Sequence, residues 1–325
     1  MDFIISYFSS LNPASFVSAL PGNIAQGIIW GLMALGVFIT YKLLHFADLT
    51  VDGSFATGGA VTGILLLNGV PIWIAMIVAL IAGLLTGLIT GLLHTLLGIP
   101  DILAGILTQI ALYSINLNIM GKANLPVSYR NYDLLISGSN ILWAIIIGLT
   151  FAFIVIAAMY WYFGTEQGST IRSTGSNPAM SKAQGINIST AKVIALSLSN
   201  GLVALSGALL AQYQGFADIN MGRGAIVIGL AAVIIGQVLG EALFRKHINF
   251  VIRLVFVIVG GILYYIAMGI VLWLKMPTDD TKLFTAVIVA IFLAVPYLKH
   301  KKSTSFKKVA KQNLKSANEE GTKNA

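Results

Sequence analysis

Residues 31–48 read GLMALGVFITYKLLHFAD, and residues 201–218 read GLVALSGALLAQYQGFAD. The two stretches share four of their first five residues and end on the same tripeptide, Phe-Ala-Asp, at a constant offset of 170 positions. Gly59 and Gly229 continue the correspondence at the same offset. Chance agreement among apolar residues does not readily place two aspartates in register, so we interpret the pair as an internal repeat.

The composition around this repeat is that of a membrane protein. Hydrophobic residues make up 57% of the 325 positions and charged residues 10%, whereas average soluble domains carry roughly 25% charged residues. The mean hydropathy is +0.87. The chain has no cysteine and four scattered histidines, which excludes disulfides and gives no spacing typical of a metal site. No nucleophile and base pair stands out, so we predict that the chain is not an enzyme.

Apolar segments of roughly the length that spans a bilayer recur along the chain. They cover residues 22–44, 54–67, 71–97, 101–121, 141–163, 193–214, 224–240, 250–274 and 283–298. The second is short at about 21 Å as a helix, so it forms a shielded half-helix or gains length from the glycine-rich residues 53–59. We therefore predict an all-α polytopic membrane protein with about nine transmembrane segments.

The repeat implies a particular symmetry for these segments. Its two copies begin five segments apart, and because five is odd they run in opposite directions across the membrane. Inverted repeats of this kind recur in transport pathways. The predicted organisation is an interfacial N-terminal segment at 1–21, a transmembrane domain at 22–298 and repeat halves at about 22–121 and 193–298.

The distribution of lysine and arginine predicts the orientation. With the N-terminus outside, fifteen basic residues fall on the inner side and five on the outer side. Eight of the fifteen are lysines in residues 299–325, which we interpret as a disordered basic tail in the cytoplasm near anionic lipid. The basic excess has no folded face or stacking aromatics, so we predict no nucleic-acid binding.

Polar residues within or beside the apolar segments are candidates for a solute path, because such residues usually face protein or water. Four lie in glycine-flanked breaks and three share one face of the fourth segment at i, i+4 and i+7. They are Asp48, Asp52, Gln109, Tyr113, Asn116, Asp218 and Arg223. Two alternatives remain open: Asp48 and Asp218 cap the helices that follow them, and the three residues of the fourth segment bond neighbouring helices.

The longest polar stretch between segments, residues 164–192, falls on the predicted inner side. Asn177 and Pro178 are typical of an N-cap and a first helical residue, so a short helix is predicted after them. A plain connector needs only a few residues, and this length suits docking to a soluble partner. No Gly-x-x-x-x-Gly-Lys-Ser/Thr pattern occurs in the chain, so we expect no nucleotide site of its own.

Three stretches together resemble a known family. Residues 172–187 read RSTGSNPAMSKAQGIN, residues 205–208 read LSGA, and residues 98–104 read GIPDILA. With the first repeat they resemble the permeases of branched-chain amino acid and ribose-type ABC importers, over roughly residues 22–298. Within that family the chain is most similar to a subgroup linked with tryptophan or tyrosine uptake.

The resemblance implies a function and a set of partners. The chain would be the permease of an importer in a bacterial plasma membrane, carrying a small solute such as an amino acid by alternating access. A separate ABC ATPase would hydrolyse ATP, an extracellular solute-binding protein would deliver the solute, a second permease copy would complete the complex, and the chain itself would bind no cofactor. The expected ATPase-coupling residues are Arg172, Gly175, Asn177, Pro178, Met180, Lys182 and Gly185.

Two other functions compete with this one. An ion-coupled secondary transporter would use Asp48 and Asp218 as titrating carriers, but both aspartates are placed at helix ends. A membrane scaffold without transport would recruit a partner through its basic tail, but a scaffold needs no inverted repeat. The residues after the two aspartates, such as Thr50 and Asn220, do not identify the solute.

Overall fold

The structure is a computed structural model that describes residues 13–128, 130, 132–244, 249–274 and eight positions between 283 and 294. The predicted tail at 299–325 lies outside the described residues, as do half of the ninth apolar segment at 283–298 and the first twelve residues of the N-terminal segment.

Helices make up almost the whole of the described chain. The first repeat contains α1 (Pro13–Phe38) with a π-helical extension (Ile39–Leu44), α2 (Thr50–Leu67), α3 (Ile72–Thr95) and α4 (Asp101–Met120). Strand β1 (Asn124–Pro126), α5 (Ile141–Gly164), α6 (Glu166–Ser176) and α7 (Pro178–Ala183) follow. The second repeat contains α8 (Ile188–Gln214), β2 (Phe216–Asp218), α9 (Ala225–Phe244) and α10 (Phe250–Trp273).

Eight helices in the described part of the chain are long and apolar enough to cross a membrane. They are α1 with its extension, α2 to α5, and α8 to α10. The all-α polytopic prediction is therefore confirmed. The short second segment gains length from its glycine-rich start, because α2 begins at Thr50 and runs for 18 residues, about 27 Å.

The N-terminal boundary predicted at residue 21 is not a helix boundary. Helix α1 begins at Pro13 and continues through Pro21. Most side chains of its first turns are exposed, whereas nearly all from Ala25 onward are buried. The hydropathy of the sequence therefore marked where α1 becomes buried and did not mark where the helix starts.

The two first helices of the repeats, α1 and α8, cross antiparallel. The hydroxyl of Ser206 donates to the carbonyl of Ile29 at 2.6 Å, and the hydroxyl of Ser199 donates to the carbonyl of Gly36 at 2.8 Å. The matching pentapeptides at 31–35 and 201–205 lie between these two contacts. Each first helix also packs against the third helix of the other repeat, α1 against α10 and α8 against α3. This exchange is the pseudo-twofold arrangement that an inverted repeat predicts.

The same turn follows both first helices. His45 and Gly215 are both in the left-handed region, at φ 56° and 77°, and each comes directly before the Phe-Ala-Asp tripeptide. The Oδ1 atom of Asp48 accepts from the backbone N–H of Thr50 at 2.9 Å. The Oδ1 atom of Asp218 accepts from Asn220 in the same way at 2.7 Å. The repeat is therefore preserved in backbone conformation and in hydrogen bonding.

Close backbone contact between α3 and α8 depends on small residues. A Cβ atom on Gly83 or Gly87 would overlap backbone atoms of α8, and one on Gly91 would come within 2.9 Å of the Cα atom of Val193. Glycines four residues apart on one face permit this approach in a membrane, where packing rather than water drives helix association. These three glycines therefore have a packing role.

Candidate functional site

A cavity of about 370 Å³ lies between α2, α4 and the turn before α9, where the two repeats meet. Five of the seven solute-path candidates lie on its wall, whereas Asp48 and Asp218 do not. Its lining consists of Asp52, Gly53, Ala56, Gln109, Ile110, Tyr113, Ser114, Asn116, Ile219 and Arg223.

Helix α4 supplies the polar wall because one of its faces packs against α2 and another face lines the cavity. Thr108 and Leu112 are buried, and the Leu112 side chain packs against Gly53 of α2. Tyr113 is 44% exposed, whereas Asn116 is 1% exposed. The Oδ1 atom of Asn116 has no hydrogen-bond partner among the described residues. A buried amide oxygen without a partner costs free energy, so this atom is available to a ligand.

Asp52 anchors the opposite wall. Its Oδ2 atom accepts from the backbone N–H of Gly224 at 3.0 Å, and its Oδ1 atom accepts from that of Ile226 at 2.9 Å. Both donors belong to the start of α9, where unpaired N–H groups and the helix dipole favour an anion. The carboxylate thus joins α2 of one repeat to α9 of the other.

Arg223 also lines this cavity, and its guanidinium is in no ion pair among the described residues. Asp52 is engaged by the backbone of α9, and Asp218 accepts from Asn220 and from the side chain of Asn124. Within the described residues no ion pair of Arg223 is found, while its backbone N–H donates to the carbonyl of Asn220 at 3.0 Å. The guanidinium therefore adds a positive charge to the cavity wall that is not in an ion pair among the described residues, while Asp52 adds a negative charge to the same cavity.

Asp48 lies outside the cavity in a buried polar network. It is 2% exposed, and its Oδ2 atom accepts from the side-chain amide of Asn200 at 2.7 Å. Burial raises the pKa of the Asp48 carboxyl, while hydrogen bonds from Thr50 and Asn200 oppose the rise. The Oδ1 atom of Asn200 in turn accepts from the hydroxyl of Ser54 at 2.6 Å.

Hydroxyl groups extend this network to the neighbouring helices. Ser54 and Thr86 lie 2.7 Å apart, and Thr50 lies 2.8 Å from Thr90. Thr90 donates to Thr108 at 2.9 Å. The network joins α2, α3, α4 and α8 by hydrogen bonds between buried side chains. Sequence reasoning did not single out Asn200, although a buried amide in an apolar helix is a signal for such a network.

The polar segment 164–192 forms two helices. The side chain of Asn177 caps α7, because its Oδ1 atom accepts from the backbone N–H of Met180 at 3.0 Å, and Pro178 occupies the first turn. Met180 is 57% exposed. Gly185, after α7, has a φ of 81°, and Lys182 is exposed near the end of α7.

Within segment 164–192, helix α6 packs against the membrane helices. Gly175 packs against the carbonyl of Leu43 in the π-helical extension of α1, where a Cβ atom would overlap that oxygen. The extension leads directly into the turn that carries Asp48. Arg172 is exposed on α6. The structure therefore links α6 to the Asp48 network through one short stretch of backbone.

Comparison with known proteins identifies related sequences over most of the chain. The family model for the permease component of branched-chain amino acid transport systems matches residues 22–296. A tyrosine transport system permease protein of Clostridioides difficile is 39% identical over 301 residues, covering 92% of this chain and 99% of the relative. An uncharacterized protein of Rickettsia prowazekii is 34% identical over 273 residues, covering 83% and 94%.

One solved structure shows a likeness in shape. It is PsaBC from Streptococcus pneumoniae in complex with Fab, with a TM-score of 0.49 and 13% sequence identity. The likeness covers 90% of this chain and 94% of that chain.

Proposed function

Because this chain belongs to the permease component family of branched-chain amino acid transport systems, we propose that it forms the membrane path for an amino acid. The relative in Clostridioides difficile is named for tyrosine transport, and an aromatic amino acid is the solute that we propose here. The observation that supports this is the cavity in which Arg223, Asn116 and Tyr113 converge between the repeats.

The chemistry of the cavity suits a zwitterion. The Arg223 guanidinium has no ion pair with a carboxylate among the described residues and would bind the solute's carboxylate in a charge-assisted pair. The Oδ1 atom of Asn116, which lacks a partner among the described residues, would accept from the solute's ammonium group. Tyr113 and Ile110 offer partly exposed apolar surface beside these groups, which suits a side chain such as a phenol. The volume of about 370 Å³ is in the usual range for small-molecule sites.

The family implies an ATPase and an extracellular solute-binding protein as partners. We propose that this chain carries no nucleotide site and that the partner hydrolyses ATP. Segment 164–192 would contact the ATPase through α7 and the residues that flank it, and Gly175 would pass the motion of α6 to the π-helical extension. The contacting residues would be Asn177, Pro178, Met180, Lys182 and Gly185. This arrangement requires the N-terminus outside and the C-terminus in the cytoplasm of a bacterial plasma membrane.

A second copy of the chain would complete the path. Apolar side chains of α4 are uncovered, since Leu107 and Ile110 are 49% and 63% exposed. A twofold arrangement with α4 facing its own copy would cover these side chains and place two cavities around one axis. A homodimer of permeases is therefore part of the proposal.

Uptake by variants of the cavity tests the proposed site. Reconstituted with the ATPase and binding protein, Arg223→Gln should lose about tenfold or more of its tyrosine uptake, because a charged hydrogen bond is removed. Asn116→Leu should lower tyrosine uptake by a similar factor, since it removes the acceptor that has no partner among the described residues. Lys122→Gln removes an equal charge outside the cavity, and Asn118→Leu makes the same change on an exposed part of α4; both should transport normally.

Unchanged uptake by both Arg223→Gln and Asn116→Leu would reject the cavity as the solute site. Competition gives a second readout of the same site. Tyramine, which lacks the carboxylate, should compete poorly with tyrosine for the unmodified protein. Tyramine should bind Arg223→Gln no more weakly than it binds the unmodified protein. The guanidinium that distinguishes the two solutes by the carboxylate is then absent.

A further inference from the structure

A second cavity, of about 420 Å³, lies within the membrane-spanning part between α3, α5 and α8. Its wall is formed by Leu84 of α3, Ala158 and Met159 of α5, and Leu198 and Leu202 of α8, among others. The aromatic rings of Trp73 and Phe151 stack with centroids 6.4 Å apart and join α3 to α5. Beyond that contact the two helices separate and leave an apolar groove.

Tyr162 is the one residue on this apolar wall that carries a buried polar atom without a partner. Its hydroxyl has no hydrogen-bond partner among the described residues. A buried hydroxyl without a partner is costly. The groove therefore suits a molecule that is mostly hydrocarbon but offers a hydrogen-bond acceptor near its polar end.

The groove adjoins a more polar cavity at the elbow between α5 and α6. This cavity measures about 410 Å³, shares Trp161 and Phe163 with the groove, and is lined by Thr165 and Arg172 as well. Trp161 is 73% exposed, which is typical of aromatic residues at the boundary between lipid tails and headgroups. No ion pair of Arg172 is found in the part of the chain that the structure describes.

We propose that the two cavities form one binding site for an anionic phospholipid. An acyl chain fills the groove, the hydroxyl of Tyr162 donates to an ester carbonyl, and Arg172 binds the phosphate. The sequence of features along the site, from hydrocarbon to ester to phosphate, follows the order of groups in a phospholipid. The charge of Arg172 matches an anionic headgroup, and one basic residue near such a surface adds a measurable attraction.

The site has a structural consequence for the coupling segment. Arg172 belongs to α6, and α6 carries Gly175, which packs against Leu43 in the extension of α1. A lipid bound at the elbow would hold α6 against the membrane helices. Arg172 would then bind lipid rather than the ATPase. In the proposed orientation this lipid belongs to the inner leaflet, but the binding itself does not depend on that orientation.

Native mass spectrometry of the purified full-length chain tests the proposal. The delipidated protein is titrated with phosphatidylglycerol and, separately, with phosphatidylcholine. We expect the unmodified protein to retain phosphatidylglycerol preferentially, and Arg172→Gln to lose about fivefold of that preference. Ala158→Phe, which places a ring in the groove, should lower retention of both lipids. The matched controls are Lys182→Gln on α7 and Ala157→Phe, which adds a ring to α5 at an exposed position outside the groove.

Three outcomes decide the proposal. Loss of preference in Arg172→Gln with normal controls supports it. Equal retention by Arg172→Gln, Ala158→Phe and both controls overturns it, because the bound lipid is then nonspecific. Displacement of phosphatidylglycerol by inorganic phosphate alone also overturns it, since the site would then be a phosphate site. None of these outcomes depends on transport activity, so a failure here is distinguishable from a failure of the proposed function.

Discussion

Replacing Gly87 with alanine should abolish most of the correctly folded protein. The added Cβ atom would overlap the carbonyl of Leu196 and the backbone of Ser197, and the contact between α3 and α8 is among the most extensive in the fold. Overpacking of a core usually costs about 1–3 kcal/mol. Here the obstacle is backbone rather than a movable side chain, so we expect the upper end of that range or more. The yield of monodisperse protein in detergent and its melting temperature measure the effect.

Gly164→Ala is the matched control for this change. Gly164 lies at the end of α5 with no neighbouring heavy atom within 4 Å of a Cβ atom built on it. Its alanine variant should express and melt as the unmodified protein does. If Gly87→Ala has the same yield and melting temperature as Gly164→Ala, then α3 and α8 do not pack as closely as described.

Replacing Asn200 with aspartate should have the second large effect. The side chain of Asn200 donates to Asp48 at 2.7 Å, and the change puts a second carboxyl group in direct contact with the first. Two carboxyl groups sharing a buried site cannot both ionise readily. The change also removes the amide donor, and a hydrogen bond to a charged group usually contributes about 1.5–3 kcal/mol. We expect a melting temperature several degrees lower and reduced yield.

A double variant tests whether this effect comes from the pair. Asp48→Asn combined with Asn200→Asp restores one carboxyl and one amide at the same two positions. Its melting temperature should recover most of what Asn200→Asp loses, giving a large interaction energy in the double-mutant cycle. Additive losses in the double variant would show that the two side chains do not act together.

The sequence predicted the fold through periodicity and repetition. The pentapeptides at 31–35 and 201–205 and the two Phe-Ala-Asp tripeptides lie at equivalent places in the repeats, because matching sequences form matching turns. Helical spacing likewise placed Gln109, Tyr113 and Asn116 on one face of α4, which the structure brings to the cavity. Such features depend on residues close in sequence, and local spacing expresses them directly.

Long-range contacts were not predictable in the same way. Asn200 and Asp48 are 152 positions apart, and nothing local indicates that they meet. The pairing of β1 with β2 joins the segment after the first repeat to the second repeat, and each strand is too short to carry a pattern. Asp52 was a candidate for the solute path, yet its carboxylate accepts from the start of α9. Only the tertiary arrangement brings that helix end within reach.

We propose that a separate ATPase drives transport through this chain. The most direct competitor is an ion-coupled transporter that uses Asp48 and Asp218. Asp48 is enclosed in a network with Thr50 and Asn200, and Asp218 is engaged by Asn124 and Asn220. Each aspartate thus stabilises local structure, which favours transport driven by ATP over transport driven by an ion gradient.

Uptake of radiolabelled tyrosine into liposomes separates the two mechanisms. The chain is reconstituted alone, and also with its ATPase and binding protein, with and without ATP or an ion gradient. We expect uptake only with all partners and ATP, and loss of that uptake in Met180→Glu, which puts a charge on the exposed face of α7. Ser139→Glu, an equal charge on an exposed loop residue, should transport normally. Gradient-driven uptake by the chain alone, abolished by Asp48→Asn or Asp218→Asn, would contradict the account.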